Sequence, residues 1–299
     1  MPNQAVGRPW HRVCASLARV KRHRIAPARA SHELPVAMTI AGSDPSGGAG
    51  LQADLKTFAA LKVYGLSIIT AVIAQNSSHV SRVQAVEPGM VAAQLEAILA
   101  ERMPDALKIG ALASTGVTRT VASSVALLRL PAPVIDPVLV ASSGTRLLAP
   151  AAERILREQL IPLAAIVTPN IPEAQLLSEI EIDSPSAVRR AAQALHRLGP
   201  KAVLIKGGHW PALPCDPRSS RAVDLFFDGR RYREFTAIRI PGASAHGTGC
   251  ALSAAIAAWL ARGSDLETAI SRAKRFLTRA LKNAVMLGNG RRVLDHFGQ

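Results

Sequence analysis

Five short stretches of the chain carry the residue types that reactive sites are built from, and each follows an apolar run. The first, Gly42-Ser43-Asp44-Pro45-Ser46-Gly47-Gly48-Ala49-Gly50, joins a strand-like run to a helix-like one. Glycines there let backbone amides approach a ligand closely. It lacks the Gly-Lys-Ser/Thr of a nucleotide P-loop and the GxGxxG spacing of a dinucleotide site, and a plain turn would look similar. The second, His246-Gly247-Thr248-Gly249-Cys250, opens a helix. Several N–H groups at a helix start stabilise negative charge, as a phosphoryl group in transfer requires. Cys250 falls on the first turn, where the helix dipole lowers a thiol pKa. A small cysteine packing a helix start is the other reading.

The third stretch, Thr168-Pro169-Asn170-Ile171-Pro172-Glu173, places an amide and a carboxylate three residues apart at a helix start. That pair can share a hydrated Mg²⁺, or form a capping box with Asn170 as N-cap and Glu173 at the third position. Ile135-Asp136-Pro137 leaves a carboxylate just past a strand, and Lys206-Gly207-Gly208-His209 leaves a cation past another. Turn chemistry explains each alone. Together with the anion loop they make up the parts of a phosphoryl-transfer site.

The intervening elements must bring these stretches together. Apolar runs at Val36–Ala41, Leu66–Ala74, Ala106–Ile109, Pro133–Ile135, Ala164–Val167 and Ala202–Ile205 predict strands. Helical periodicity marks Leu51–Leu61, Gly89–Arg102, Thr118–Leu130, Ala151–Leu160, Ala187–Leu198, Leu252–Ala261 and Leu266–Leu287. Val223–Phe227 and Tyr232–Phe235 flank Asp228-Gly229, a hairpin signal. Repeated strand–helix units predict one three-layer α/β domain over residues 36–299 with a mainly parallel sheet, whose ligands sit beyond the carboxyl ends of the strands.

Composition fits: 48% of the 299 residues are hydrophobic and only 4% aromatic, which suits a parallel sheet covered on both faces. No apolar run is long enough to span a bilayer, so no membrane association is expected. The cysteines Cys14, Cys215 and Cys250 form no CxxC pair, which disfavours a disulfide framework or zinc site and favours a reducing cytoplasm. The formal charge is +15. Residues 1–35 hold seven cationic side chains against Glu33, with four prolines and no periodicity, so a disordered basic extension is expected there. The rest of the excess is spread thinly without stacking aromatics, so a solvated surface is expected rather than a nucleic-acid interface.

Thr39-Ile40-Ala41-Gly42-Ser43-Asp44-Pro45-Ser46-Gly47-Gly48-Ala49-Gly50-Leu51-Gln52-Ala53-Asp54-Leu55-Lys56-Thr57, with Ala74-Gln75-Asn76, Lys108-Ile109-Gly110, Thr168-Pro169-Asn170, Lys206-Gly207-Gly208-His209 and the stretch from His246 to Cys250, resembles the hydroxymethylpyrimidine/phosphomethylpyrimidine kinases of the ribokinase-like superfamily. The resemblance runs from about Val36 to His296. It implies a three-layer αβα ribokinase-like fold and ATP-dependent phosphorylation of a hydroxymethylpyrimidine and of its monophosphate, in thiamine biosynthesis. It also implies a cytoplasmic homodimer using Mg²⁺. Gln75 and Asp54 would bond the aminopyrimidine, with Gly42 and Ala111 lining its pocket. Asn170, Lys206 and Thr248 would face ATP, and Asp136 and Glu173 the metal. Gly247, Thr248 and Gly249 would form the anion hole, and Cys250 would be the base. Departures from the family pattern are Ala111 where methionine is usual, Ser142 for lysine, Thr145 for aspartate, and a polar stretch at Trp210–Arg221. A pyridoxal/pyridoxine kinase is the nearest alternative, and a non-catalytic nucleic-acid-binding protein a more distant one.

Overall fold

Along the inner strands, successive side chains enter two different hydrophobic cores. Met38, Ile40, Leu107, Ile109, Ile135, Val167, Val203 and Ile205 pack on one side, while Ala37, Ala106, Val134, Ile166 and Leu204 pack on the other. A strand buried on both faces has no polar face to show, hence the continuous apolar runs in the sequence. This computed structural model describes residues 34–76, 79–140, 144–207, 220–240, 245–287 and 291–298. The expectations for residues 1–33, for Ser142, and for Gly208, His209 and most of the 210–221 stretch lie outside them.

The chain runs through β1 (Val36–Ser43), α1 (Gly50–Ala60), β2 (Tyr64–Gln75), β3 (Val80–Ala85), α2 (Pro88–Glu101), β4 (Ala106–Ile109), α3 (Thr115–Leu127), β5 (Val134–Ile135) and α4 (Pro150–Ile155). Next come β6 (Ile166–Val167), α5 (Ile171–Ser178), α6 (Pro185–His196), β7 (Val203–Ile205), β8 (Arg221–Phe227) and β9 (Tyr232–Ile238). It closes with β10 (Ala245–His246), α7 (Thr248–Ala261), α8 (Leu266–Lys282), β11 (Val285–Leu287) and β12 (Arg291–Val293). The main sheet has the order β3-β2-β1-β4-β5-β6-β7-β8-β9. Strands β2 through β7 pair in parallel, and β3, β8 and β9 join as antiparallel edges. Helices α2 to α6 cover one face; α1, α7 and α8 cover the other.

The expected three layers and the β8–β9 hairpin are present. Val80–Ala85, a polar alternation with no apolar run to mark it, adds a strand at the sheet edge, and two local expectations are corrected. The final helix stops at Lys282, and Val285–Leu287 instead pairs antiparallel with β12. Arg221 is the first residue of β8 rather than part of an insertion.

Strand order reverses between β1 and β4, since β1 leads to β2 on one side while the later strands extend from β4 on the other. That switch point opens a crevice beyond the carboxyl ends of the two strands, the usual ligand position in open α/β sheets.

Candidate active site

Every described residue singled out for chemistry belongs to a strand end, to the loop beyond one, to α1, or to the start of α5 or α7. Gly42 sits where β1 slips register against β2, and Gln75 where β2 slips against β3. Such irregularities re-aim the chain at a strand end. A Cβ on Gly42 would lie 3.0 Å from Ile73 Cδ1 and 3.8 Å from Ala111 Cβ, so these residues form one small-walled patch. The Ala111 carbonyl accepts a 2.6 Å bond from the Thr70 hydroxyl, which fixes the segment after β4.

Asp54 is fully buried on α1, and its Oδ2 accepts from Thr39 Oγ1 at 2.6 Å and Lys108 Nζ at 2.7 Å. Its Oδ1 is enclosed without a hydrogen-bond partner among the described residues. Lys108 is equally buried. Burial alone would lower the pKa of Lys108, but Asp54 beside it, with Cys250 and Asp136, holds it raised and protonated. Sequence reading assigned Lys108 no part. A lysine amid the apolar Ala106–Ile109 is the signal for it, since a buried cation requires an anion. Lys108→Met is expected to destabilise the fold by ~3–5 kcal/mol, because it strands a buried carboxylate, whereas Lys108→Met with Asp54→Leu costs much less. Urea unfolding of the two variants checks this.

On the opposite side of the crevice, Lys206 Nζ bonds Asp136 Oδ1 at 2.6 Å. Asp136 is nearly buried, and Ser253 of α7 donates to its Oδ2 at 3.4 Å. A Cβ on Gly249 would lie 3.0 Å from Lys206 Nζ and 3.4 Å from Asp136 Oδ2, which places the ion pair against the first turn of α7. Asn170 and Glu173 do form the capping box: Glu173 N donates to Asn170 Oδ1, and Asn170 N to Glu173 Oε2, both at 2.9 Å. Burial pushes the Glu173 carboxyl up to about 7, with Asp136 adding to the rise while Lys206 opposes it. Asn170 also bridges to Lys206 across the ends of β6 and β7. Asp224 and Lys274, a buried pair from β8 and α8, brace this corner, Asp224 Oδ1 accepting the Gly207 N–H at 3.0 Å.

Gly247 is the N-cap of α7 with φ +84°, and α7 begins at Thr248. The Thr248 hydroxyl donates to the Ala245 carbonyl at 2.7 Å, which leaves the backbone N–H as the Thr248 donor at this helix start. Cys250 is partly buried. Its expected acidification by the helix start is overturned: burial pushes the thiol up to about 11, and the nearby carboxylates of Asp136 and Asp54 reinforce this against the pull of Lys108. The site thus combines a small-walled patch with a helix-start amide cluster, a cation and paired carboxylates, which suits transfer of a phosphoryl group to a bound hydroxyl.

Comparison with known proteins places this geometry. A phosphomethylpyrimidine kinase family model matches residues 44–295. The hydroxymethylpyrimidine/phosphomethylpyrimidine kinase of Synechococcus elongatus is 44% identical over 264 residues, covering 88% of this chain and 98% of that protein. A thiamine biosynthesis bifunctional protein of Geobacter sulfurreducens is also 44% identical, over 260 residues and 87% of this chain; there the chain spans 52% of the relative. Among solved structures, a Bacillus subtilis pyridoxal kinase in complex with ADP superposes with a TM-score of 0.79 at 36% identity, covering 88% of this chain and 98% of that one. A Clostridium difficile phosphomethylpyrimidine kinase does so with a TM-score of 0.72 at 37% identity, covering 82% and 99%.

Proposed function

The chain belongs to the phosphomethylpyrimidine kinase family, and from that premise we propose that it moves the γ-phosphoryl group of ATP onto the hydroxymethyl oxygen of 4-amino-5-hydroxymethyl-2-methylpyrimidine, then adds a second phosphate to the monophosphate, in thiamine biosynthesis. The observation that carries this reading is the seating of the α7 start against the Lys206–Asp136 pair, so close that a side chain on Gly249 would meet both, near the small-walled patch at Gly42 and Ala111. In the transfer, a bond forms from the substrate oxygen to phosphorus, the bond from phosphorus to the ADP oxygen breaks, and the hydroxyl proton passes to the thiolate form of Cys250. Amides from Gly247 to Cys250 meet the charge on the moving group. Lys206, Asn170 and the Thr248 backbone hold nucleotide phosphate, and Gln75 reads the ring edge; Asp54, expected to bond the same ring, is fully buried and engaged by Thr39 and Lys108, so it acts on the site through Lys108.

Magnesium is the cofactor this reading implies, and the residues fit it. Asp136 and Glu173 are buried carboxylates near enough that Asp136 raises the Glu173 pKa, a repulsion a divalent cation relieves. They would hold it with water, and it would neutralise phosphate charge. No helix among the described residues is long and apolar enough to cross a membrane. A cytoplasmic homodimer is part of the same reading; Ile69 and Val72, exposed on β2, offer a surface for a second copy.

The test is ATP consumption with the hydroxymethylpyrimidine, with mono- and diphosphate products resolved. No product above background would overturn the reading. One observation favours pyridoxal as a second substrate: the likeness to the pyridoxal kinase, together with the small Ala111 side chain at the pocket wall. Competition between the two substrates decides their ranking. Gln75→Ala is expected to raise the pyrimidine KM by roughly 5–150-fold, the equivalent of ~1–3 kcal/mol for a lost buried polar contact, and to leave the ATP KM nearly unchanged. Equal weakening of both would contradict the assignment.

A further inference from the structure

Asp44 lies between the two ligand loops, is only 1% exposed, and has no task in the transfer described above. Its carboxylate accepts from Ser46 N at 2.9 Å, the Ser46 hydroxyl at 2.8 Å and Ala49 N at 2.7 Å, all within its own loop. It also meets His246, whose Nε2 stands 3.1 Å from Asp44 Oδ2 across 202 residues of sequence, and the Gln75 side chain at the end of β2 lies close enough to stabilise its charge. Burial favours the neutral acid, yet the bonds from His246, Ser46, Gln75 and Ala49 outweigh it and hold the carboxyl well below its ordinary range.

We propose that Asp44 and His246 are positioning residues whose bond couples filling of the ring pocket at Gln75 to the setting of the phosphate loop at Gly247–Cys250. The inference rests on the kinase reading above and extends it.

An ionised carboxylate only accepts, so His246 presents an Nε2–H and Gln75 presents its NH₂. The planar amide of Gln75 then turns its carbonyl oxygen away from Asp44. That acceptor matches a donor on the ligand, such as the exocyclic amine of an aminopyrimidine. Asp44 thereby sets which way Gln75 reads the ring.

The other end of the tie is equally constrained. His246 is paired with Val293 in the small sheet formed by β10, β12 and β11. Its Nδ1 is enclosed with no partner, so Asp44 is the one anchor of the ring among the described residues. A Cβ on Gly48 would meet His246 Cδ2 at 2.8 Å and Val293 Cγ1 at 3.3 Å, and one on Gly247 would meet the Gly48 carbonyl at 1.7 Å. The two loops touch backbone to backbone, with the imidazole wedged beside them. Movement of one loop displaces the other, and Gln75, Asp44, His246 and Gly247 form a continuous route from ring to phosphate loop.

Calorimetric titration of the full chain with the hydroxymethylpyrimidine, with and without a saturating non-hydrolysable ATP analogue and Mg²⁺, tests this. Wild type is expected to show a nucleotide-dependent change in pyrimidine Kd of about 5-fold or more, the usual range of site-to-site coupling. His246→Ala should abolish that change while nucleotide still binds, and His246→Gln, which keeps an N–H toward Asp44, should restore most of it. Asp44→Asn, isosteric but with an NH₂ where the carboxylate accepts, is expected to lose the coupling independently of the histidine variants, with thermal unfolding confirming that the variant is folded. A purely structural role would weaken both ligands alike and leave the coupling in place. Coupling in His246→Ala and Asp44→Asn equal to wild type, or none in a wild type that binds both ligands, would overturn the inference alone. A wild type that does not bind the pyrimidine would overturn the kinase reading and this inference with it.

Discussion

Cys250→Ala is expected to cut turnover by roughly 10²–10⁴-fold, the ordinary worth of a general base, while thermal stability and nucleotide affinity stay close to wild type. Cys250 lies on the first turn of α7, where alanine fits sterically and is a good helix former. Its thiol is pushed up to about 11, so little thiolate exists at neutral pH. Phosphoryl transfer tolerates this, because it depends on positioning and charge neutralisation more than on early proton removal. The direction of the pH effect follows. A base must be deprotonated, so kcat/KM, which reports the free protein, is expected to rise with pH from about 7 through 9 without a plateau. Cys250→Asp should recover part of the lost rate and flatten that rise, since a carboxylate is ionised throughout the range. Near-full turnover by Cys250→Ala at saturating substrates would make the cysteine a packing residue only.

The second large effect is expected at Gly247, where alanine should lower turnover by roughly 10²–10³-fold, comparable to the loss of a donor to transition-state charge. Two costs combine. Gly247 has φ +84°, a left-handed conformation that costs an L-residue roughly 1–2 kcal/mol. An added Cβ would also stand 1.7 Å from the Gly48 carbonyl oxygen, a distance no atom pair tolerates, so the anion loop has to move. Gly263 separates the two costs. Its φ is +82° and nothing lies within 4 Å of a Cβ built there. Gly263→Ala should therefore carry the backbone cost in stability and keep its activity. Comparable activities for the two variants in a steady-state assay would show that the Gly247–Gly48 contact does not set the site.

The sequence alone was sufficient for whatever depends on neighbours a few residues apart. The parallel βα order follows from apolar runs whose residues alternate between two cores. The Asn170–Glu173 capping box follows from a three-residue spacing, and the amide cluster at Gly247–Cys250 from glycines placed at a helix start. Tertiary structure alone decided the partnerships of buried charge. Nothing near Lys108 in sequence announces Asp54, which is 54 residues away, and nothing near His246 announces Asp44. It also decided where the last helix ends, because Val285–Leu287 continues the apolar pattern yet gains backbone partners in β12. The acidity of Cys250 belongs to the same class. A helix start is visible in the sequence and lowers a thiol pKa. The burial and the carboxylates of Asp136 and Asp54 that raise it exist only once distant strands and α1 converge. Periodicity and capping are short-range and survive in a linear string, whereas desolvation and Coulomb interaction depend on distances that the completed fold creates.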